Sequence, residues 1–300
     1  MDVIKSVTNY IKNTDLYLVA IALLCSAYGM VLIYSATLNP ASWQDGSTRN
    51  LFIQGAAIIL GLGAFVIMSL IDLETMSGWW KIFVLINIGL QMLLFTPLGT
   101  EVNGQRAWLD LGVTSLQPGE LGKLIFIFTL AAHISEIKEH ISEWRGLFVI
   151  ALHTLIMMAA VVIASGDTGM AIQYFMIALI MLFAAGLSLK WMAIGAGLGV
   201  VSIPILWNFV LQGYQITRIL VLFDPSIDLD ASRQATYGKI AIGSGQMTGQ
   251  GLTHGTMTQM QLVSENHTDY IFSVAGEELG FIGCMLIIGL LTLLILRLFY

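Results

Sequence analysis

Gln259-Met-Gln-Leu-Val-Ser-Glu265-Asn-His-Thr-Asp269-Tyr-Ile-Phe-Ser-Val-Ala-Gly-Glu277-Glu278-Leu-Gly-Phe-Ile-Gly283 runs from a polar stretch straight into a long apolar one. The apolar run continues to Tyr300, long enough to span a bilayer as a helix. Two carboxylates, Glu277 and Glu278, lie about two turns inside it. Ionisable groups within hydrocarbon are expensive and are normally retained for a purpose. Asp269 stands where the polar run meets the apolar one, so the chemistry is expected at the membrane surface.

The rest of the chain fits that reading. It is 57% hydrophobic and only 11% charged, against about a quarter charged for a soluble domain. Apolar runs long enough to span fall near 15–37, 51–71, 79–97, 118–136, 147–166, 169–187, 190–211 and 270–299. The expected fold is all-α, a polytopic membrane bundle forming a single integral-membrane domain over residues 1–300. Met1 to Asp15 is polar and the following run is long enough to span, which argues against a removable signal peptide. Gly195-Ala-Gly-Leu-Gly199 predicts close helix–helix approach in the seventh span. Cys25 and Cys284 lie in apolar runs without disulfide or metal spacing. The basic residues form no cluster, which excludes a nucleic-acid footprint.

If eight spans alternate, Lys5, Lys12, Lys81, Lys138, Arg145, Lys190 and Arg297 share one side, with Arg49 and Arg106 on the other. The excess of basic residues places the N-terminus in the cytoplasm. Three polar segments then share the outer face: 98–117, the turn around Asp167, and a long structureless loop over 212–269, of a length usually kept for function.

Each segment offers candidates. In Val102-Asn-Gly-Gln-Arg106-Ala-Trp108…Gln117-Pro118-Gly-Glu120-Leu-Gly-Lys123, Pro118 suits a first helical turn. Glu120 and Lys123, three apart, share a helix face and are expected to pair toward the bundle interior. The plain alternative to a polar cleft here is an interfacial Trp belt with a structural ion pair. In Ala164-Ser-Gly-Asp167-Thr-Gly, the carboxylate either serves function or caps the next helix. The long loop carries Arg218, Arg233, Lys239 and the glycines Gly243, Gly245, Gly249 and Gly251, without a Walker pattern. Asp269, beside His267 and ahead of Glu277, is the candidate general base. No nucleophilic-Ser motif or zinc-type ligand cluster is present.

In combination these blocks resemble the SEDS family (shape, elongation, division and sporulation), the RodA/FtsW-like proteins. Four blocks carry the likeness in order: Asn103-Gly104…Trp108…Gln117-Pro118…Glu120…Lys123; Gly166-Asp167…Gly169; Ala241-Ile-Gly-Ser-Gly245…Gly249…Gly251; and Glu265-Asn-His-Thr-Asp269…Glu277-Glu278-Leu-Gly-Phe-Ile-Gly283. The resemblance implies a peptidoglycan glycosyltransferase that polymerises lipid II in wall elongation, division or sporulation and works with a class B penicillin-binding protein. It puts the family's essential Asp at Asp269, its important Trp at Trp108, its polar pair at Glu120 and Lys123, and its inter-span Asp at Asp167. Family members usually have ten spans, so the end at Tyr300 is expected to be a truncation. Departures from the family pattern are Gly119, Gln250, Ser264 and Ser232-Arg233. Gln250 stands where the family has a lysine, and Arg233 or Lys239 is a candidate for the lost charge.

The reaction so implied is transfer between two lipid-linked sugars. Asp269 takes the proton of the acceptor hydroxyl. Arg106, Arg218, Arg233 and Lys239 are candidates for the diphosphate, with a divalent cation, Mg²⁺ or Mn²⁺, as a candidate cofactor. Trp108 would lie among the lipid headgroups, and His267 and Glu277 complete the expected substrate-binding set. A flippase or transporter of lipid-linked precursor is the alternative, with Glu120, Lys123, Asp167 and Glu277 lining its path.

Overall fold

A computed structural model describes residues 14–38, 46–102, 105–112, 115–205, 207–208 and 213–300. Lys5, Lys12, Asn103, Gly104 and the far end of the 190–211 span lie outside the described residues. Every expected span has its helix: α1 Leu16–Thr37, α2 Gly46–Leu70, α4 Trp80–Met92, α5 Pro118–Glu136, α6 Trp144–Ser165, α7 Thr168–Ala184, α8 Leu189–Ile205 and α12 Ile271–Phe299, with a short α3 at Leu73–Ser77. Leu16–Thr37, Arg49–Leu70, Trp144–Ser165 and Ile271–Phe299 are each long and apolar enough to cross a membrane; Trp80–Phe95, Thr168–Ala184 and Leu189–Val201 are shorter apolar helices. The molecule is a multi-pass membrane protein. Its large exposed apolar side chains, such as Ile59, Leu60, Leu124 and Ile163, are what lipid-facing surfaces require.

The chain divides into two compact units, one made of residues 1–65 and 211–300, the other of 66–210. In the first, α1 packs against α12 through Leu32, Ala36, Val274 and Ala275. The two helices run antiparallel and are pinned at both ends. Ser35, near the end of α1, donates to Glu278, near the start of α12. At the opposite end Arg297 Nε donates to Asp15 Oδ2 at 2.6 Å. The same Asp15 caps α1 by accepting from the amides of Tyr17 and Leu18.

The expectation of a structureless segment over 212–269 needs correction. It contains α9 Gly213–Val221, α10 Leu229–Ser244 and the one-turn α11 Thr256–Gln259. Polar composition hid α10, which packs along α12. Contact, rather than an apolar stripe of its own, holds it there: a Cβ at Gly238 would lie only 3.1 Å from the Tyr270 ring and from Ser273 Oγ.

In the second unit α4, α5, α6 and α7 pack together around Phe126, Leu130, Ile150, Met157, Val161 and Tyr174. The 98–117 segment adds a small antiparallel sheet, β1 Gly99–Val102, β2 Gln105–Asp110 and β3 Ser115–Leu116, in the order β1-β2-β3. Gly99 faces Leu109 and Val102 faces Gln105. Ala107 and Leu109 turn inward, and Leu109 joins Leu94 and Ala164 in a local core. Close approach at the Gly195–Gly199 run is not seen among the described residues. Among the described residues, a Cβ at Gly195, Gly197 or Gly199 meets nothing within 4 Å.

Candidate functional site

Helix α12 is broken where it carries its carboxylates. Gly280 adopts φ 67° and ψ −160°, which no helix tolerates, and the amides of Phe281 and Ile282 lose their partners four residues back. The loop after α10 replaces those bonds in pairs. Phe281 N donates to Gln246 O at 2.8 Å and Ile282 N to Met247 O at 3.3 Å, while Gln250 N and Gly251 N donate to Glu277 O and Glu278 O, each at 2.9 Å. A helix break in a membrane is tolerated only when neighbouring groups satisfy the freed backbone. Glycines permit the approach. A Cβ at Gly249 would overlap the Glu278 carbonyl, and one at Gly245 would overlap that of Gly276.

The two carboxylates finish the same junction. Glu277 is fully buried. Its Oε1 accepts from Met257 N at 2.7 Å. Its Oε2 accepts from Thr258 N at 2.9 Å and Thr258 Oγ1 at 2.7 Å. It therefore satisfies the orphan amides at the start of α11. Glu278, also fully buried, accepts from Ser35 Oγ and from Gln259 Nε2 at 3.4 Å. Glu277 was expected to bind substrate; here its oxygens are occupied by the chain's own backbone and Thr258.

Asp269 differs in every respect. It is exposed, in the turn just before α12, and among the described residues no hydrogen bond or ion pair engages its carboxylate. His267 beside it is half-buried, and Lys239 and Arg233 on α10 are exposed. The contact of Gly238 with Tyr270 brings the positions next to Lys239 and Asp269 together. Arg218 lies in α9. For the anticipated divalent ion, no three His, Cys, Asp or Glu side chains are grouped to hold a metal among the described residues.

In the second unit, Arg106 is a staple within the hairpin. Its Nη2 donates to Thr96 O at 2.9 Å and its Nε to Gly99 O at 3.2 Å. Trp108, next but one on β2, is half-buried. Glu120 and Lys123 pair at 2.8 Å, but the Glu120 side chain is 54% exposed against 17% for Lys123, so the pair does not face inward as expected. Lys123 Nζ also donates to Gln173 Oε1 at 2.6 Å. Asp167 is the N-cap of α7, accepting from Met170 N at 2.9 Å, after Gly166 has ended α6 in the left-handed region.

Sequence reasoning missed the side chains that support this end of α5. Asn87 Nδ2 donates to Gly122 O at 2.9 Å, Gln91 Nε2 to Pro118 O at 3.1 Å and Tyr174 OH to Gly119 O at 3.1 Å. Their only signal was polarity inside apolar runs. Also missed was a buried pair at the far end of α5, His133 Nδ1 and His153 Nδ1 3.1 Å apart, with Trp80 stacked on His133 at 4.3 Å. At that separation one ring nitrogen carries the proton and the other accepts it.

A family model for the cell cycle proteins FtsW, RodA and SpoVE matches residues 15–300. The chain belongs to this family. Among relatives of the SEDS family, the peptidoglycan glycosyltransferase MrdB of Escherichia coli (strain K12) is 35% identical over 270 residues, 89% of this chain and 71% of that protein. The probable peptidoglycan glycosyltransferase FtsW of Nitrosomonas europaea is 32% identical over 303 residues, 95% and 74% of the two chains. A solved structure described as "Structural coordination of polymerization and crosslinking by a peptidoglycan synthase complex" superposes with a TM-score of 0.74 at 26% identity, covering 96% of this chain and 77% of that one. The crystal structure of the rod shape determining protein RodA of Thermus thermophilus gives 0.61 at 25%, covering 96% and 74%. Gly245 and Gly249 are the glycines that let the loop close on the helix break.

Proposed function

We propose that this SEDS peptidoglycan glycosyltransferase uses Asp269 as the general base for polymerising lipid II. The observation that carries the assignment is the contrast at the start of α12. Of Asp269 just before that helix and the two carboxylates within its first turns, Glu277 and Glu278 are buried and bonded to the chain itself, and only Asp269 is exposed. Its carboxylate accepts the proton of the acceptor sugar hydroxyl as that oxygen bonds to the donor's anomeric carbon. The bond from that carbon to the diphosphate breaks, and the lipid diphosphate leaves with the electron pair. One displacement inverts the centre, turning an α-linked donor into a β-linked glycan. Such a base contributes about 10²–10⁴-fold.

The leaving diphosphate needs cations, and Lys239 and Arg233 lie on the helix packed beside α12, with Arg218 on α9. Trp108, Arg106, Glu120, Lys123, Asp167 and His267 belong to the same proposal as substrate-binding residues. We place the protein in the bacterial cell membrane with its N-terminus in the cytoplasm and the Asp269 loop outside, partnered by a class B penicillin-binding protein. A flippase path would need Glu277 open to a cargo, and Glu277 is fully buried and bonded.

The test is lipid II polymerisation by the purified chain with its partner, wild type against Asp269→Asn. Abolished product with folding intact is expected. A loss of less than about tenfold, roughly 1.4 kcal/mol, refutes the general-base role.

A further inference from the structure

We infer that Asn266 is a positioning residue for Asp269, holding the turn that carries it onto the buried Glu277–Thr258 anchor. The inference rests on the reading of Asp269 as the base. Asp269 makes no bond of its own among the described residues, so its place depends on the turn around it. Within that turn the carbonyl of Glu265 accepts from both Thr268 N and Tyr270 N at 3.2 Å. Glu265 itself has φ 54°, a left-handed conformation that a non-glycine residue keeps only when its surroundings enforce it.

Asn266 supplies that enforcement. It is 6% exposed, although His267, Thr268 and Asp269 after it turn toward the surface. Its Nδ2 donates to Thr258 O at 3.3 Å. Thr258, 3% exposed, is fixed in turn by the Glu277 carboxylate through both its amide and its hydroxyl. Gly255 lets that carboxylate in, since a Cβ there would lie 2.8 Å from Oε2. A chain of hydrogen bonds thus runs from Asn266, three residues before Asp269, which donates to Thr258, to Thr258, which donates to Glu277. The buried Glu277 of α12 fixes the place of the exposed carboxylate just before that helix.

Asn266 is the link that can be cut without altering a charge or touching Asp269. A misplacement of about 1 Å at a reacting group can lower a rate by about 10²-fold. In lipid II polymerisation by the full chain with its class B partner, Asn266→Ala is expected to lower kcat by about 10–100-fold. KM for lipid II should change less than twofold and the melting temperature should stay close to wild type. If that variant is not recovered folded, Asn266→Gln, which keeps the amide but displaces it, is read by the same criteria. Unchanged kcat overturns the inference, and the base reading stands if Asp269→Asn is inactive in the same assay. A kcat loss matched by a rise in KM, or by a proportionate fall in melting temperature, also overturns it in favour of a merely structural role. Activity of Asp269→Asn overturns both.

Discussion

Replacing Gly249 by Ala tests whether the loop closing the helix break is structural, and Gly243 supplies the control. Gly249 has φ 81°, and a Cβ there would overlap the Glu278 carbonyl and lie 2.5 Å from Leu279 N, against an ordinary contact of 3.4 Å or more. Loop and helix would have to separate by about 1 Å, straining the bonds from Gln250 N and Gly251 N to Glu277 O and Glu278 O. The left-handed φ alone disfavours alanine by about 1–2 kcal/mol, and forcing atoms into a packed junction adds about 1–3 kcal/mol. The expected destabilisation is about 2–5 kcal/mol. Gly243 belongs to the same glycine-rich stretch but sits in α10 with nothing within 4 Å of its would-be Cβ. Alanine there should be neutral or stabilise by up to about 1 kcal/mol. Unfolding of the two variants in mixed micelles, followed by circular dichroism as denaturing detergent rises, separates them. A Gly249→Ala loss below about 1 kcal/mol, or one equal to that of Gly243→Ala, would refute the argument that these glycines are required for close packing.

The Glu120–Lys123 pair, more than half exposed at the carboxylate, should couple by only about 0.2–1 kcal/mol. A double-mutant cycle with Glu120→Gln and Lys123→Met giving 3 kcal/mol or more would mean the pair is buried after all. At the other end of α1, the hydrogen bond from Arg297 and the amides of Leu18 and Tyr17 hold the Asp15 carboxyl below its usual 3.8. The unfolded chain then binds the proton more readily, so this contribution to stability is present above the usual value and is lost as pH falls through the lowered one. Stability measured from pH 7 into that acid range should fall less steeply in Arg297→Gln than in wild type, and parallel curves would count against the pairing.

The spans were legible because each is a long apolar run, and Pro118, Asp15 and Asp167 mark helix starts by local chemistry alone. The hairpin was not legible, because a Trp, an Arg and scattered polar residues between two spans read equally well as an interfacial loop. Helix α10 was not legible, since its residues are largely polar and its place is set by contact with α12. The exposed position of Asp269 ahead of α12 was legible from the polar-to-apolar boundary. Asn266 was not, because nothing in Glu-Asn-His-Thr-Asp says which side chain turns inward.

The same limit explains why sequence alone points Glu277 toward substrate. Sequence shows a carboxylate inside an apolar helix and asks what could justify it. A cation or a ligand is the usual answer, but a broken backbone is another. One turn of helix starting at Thr256 presents amides that no other group within the turn can accept, and Glu277 accepts two of them together with the Thr258 hydroxyl. Glu278 meets Ser35, whose Oγ also accepts from Thr253 N at 2.9 Å, so α1 is drawn into the same junction. The carboxylates in the span thus complete an interrupted helix: the interruption admits a glycine-rich loop against the broken backbone, and Glu277 and Glu278 satisfy the groups that loop and α11 bring in.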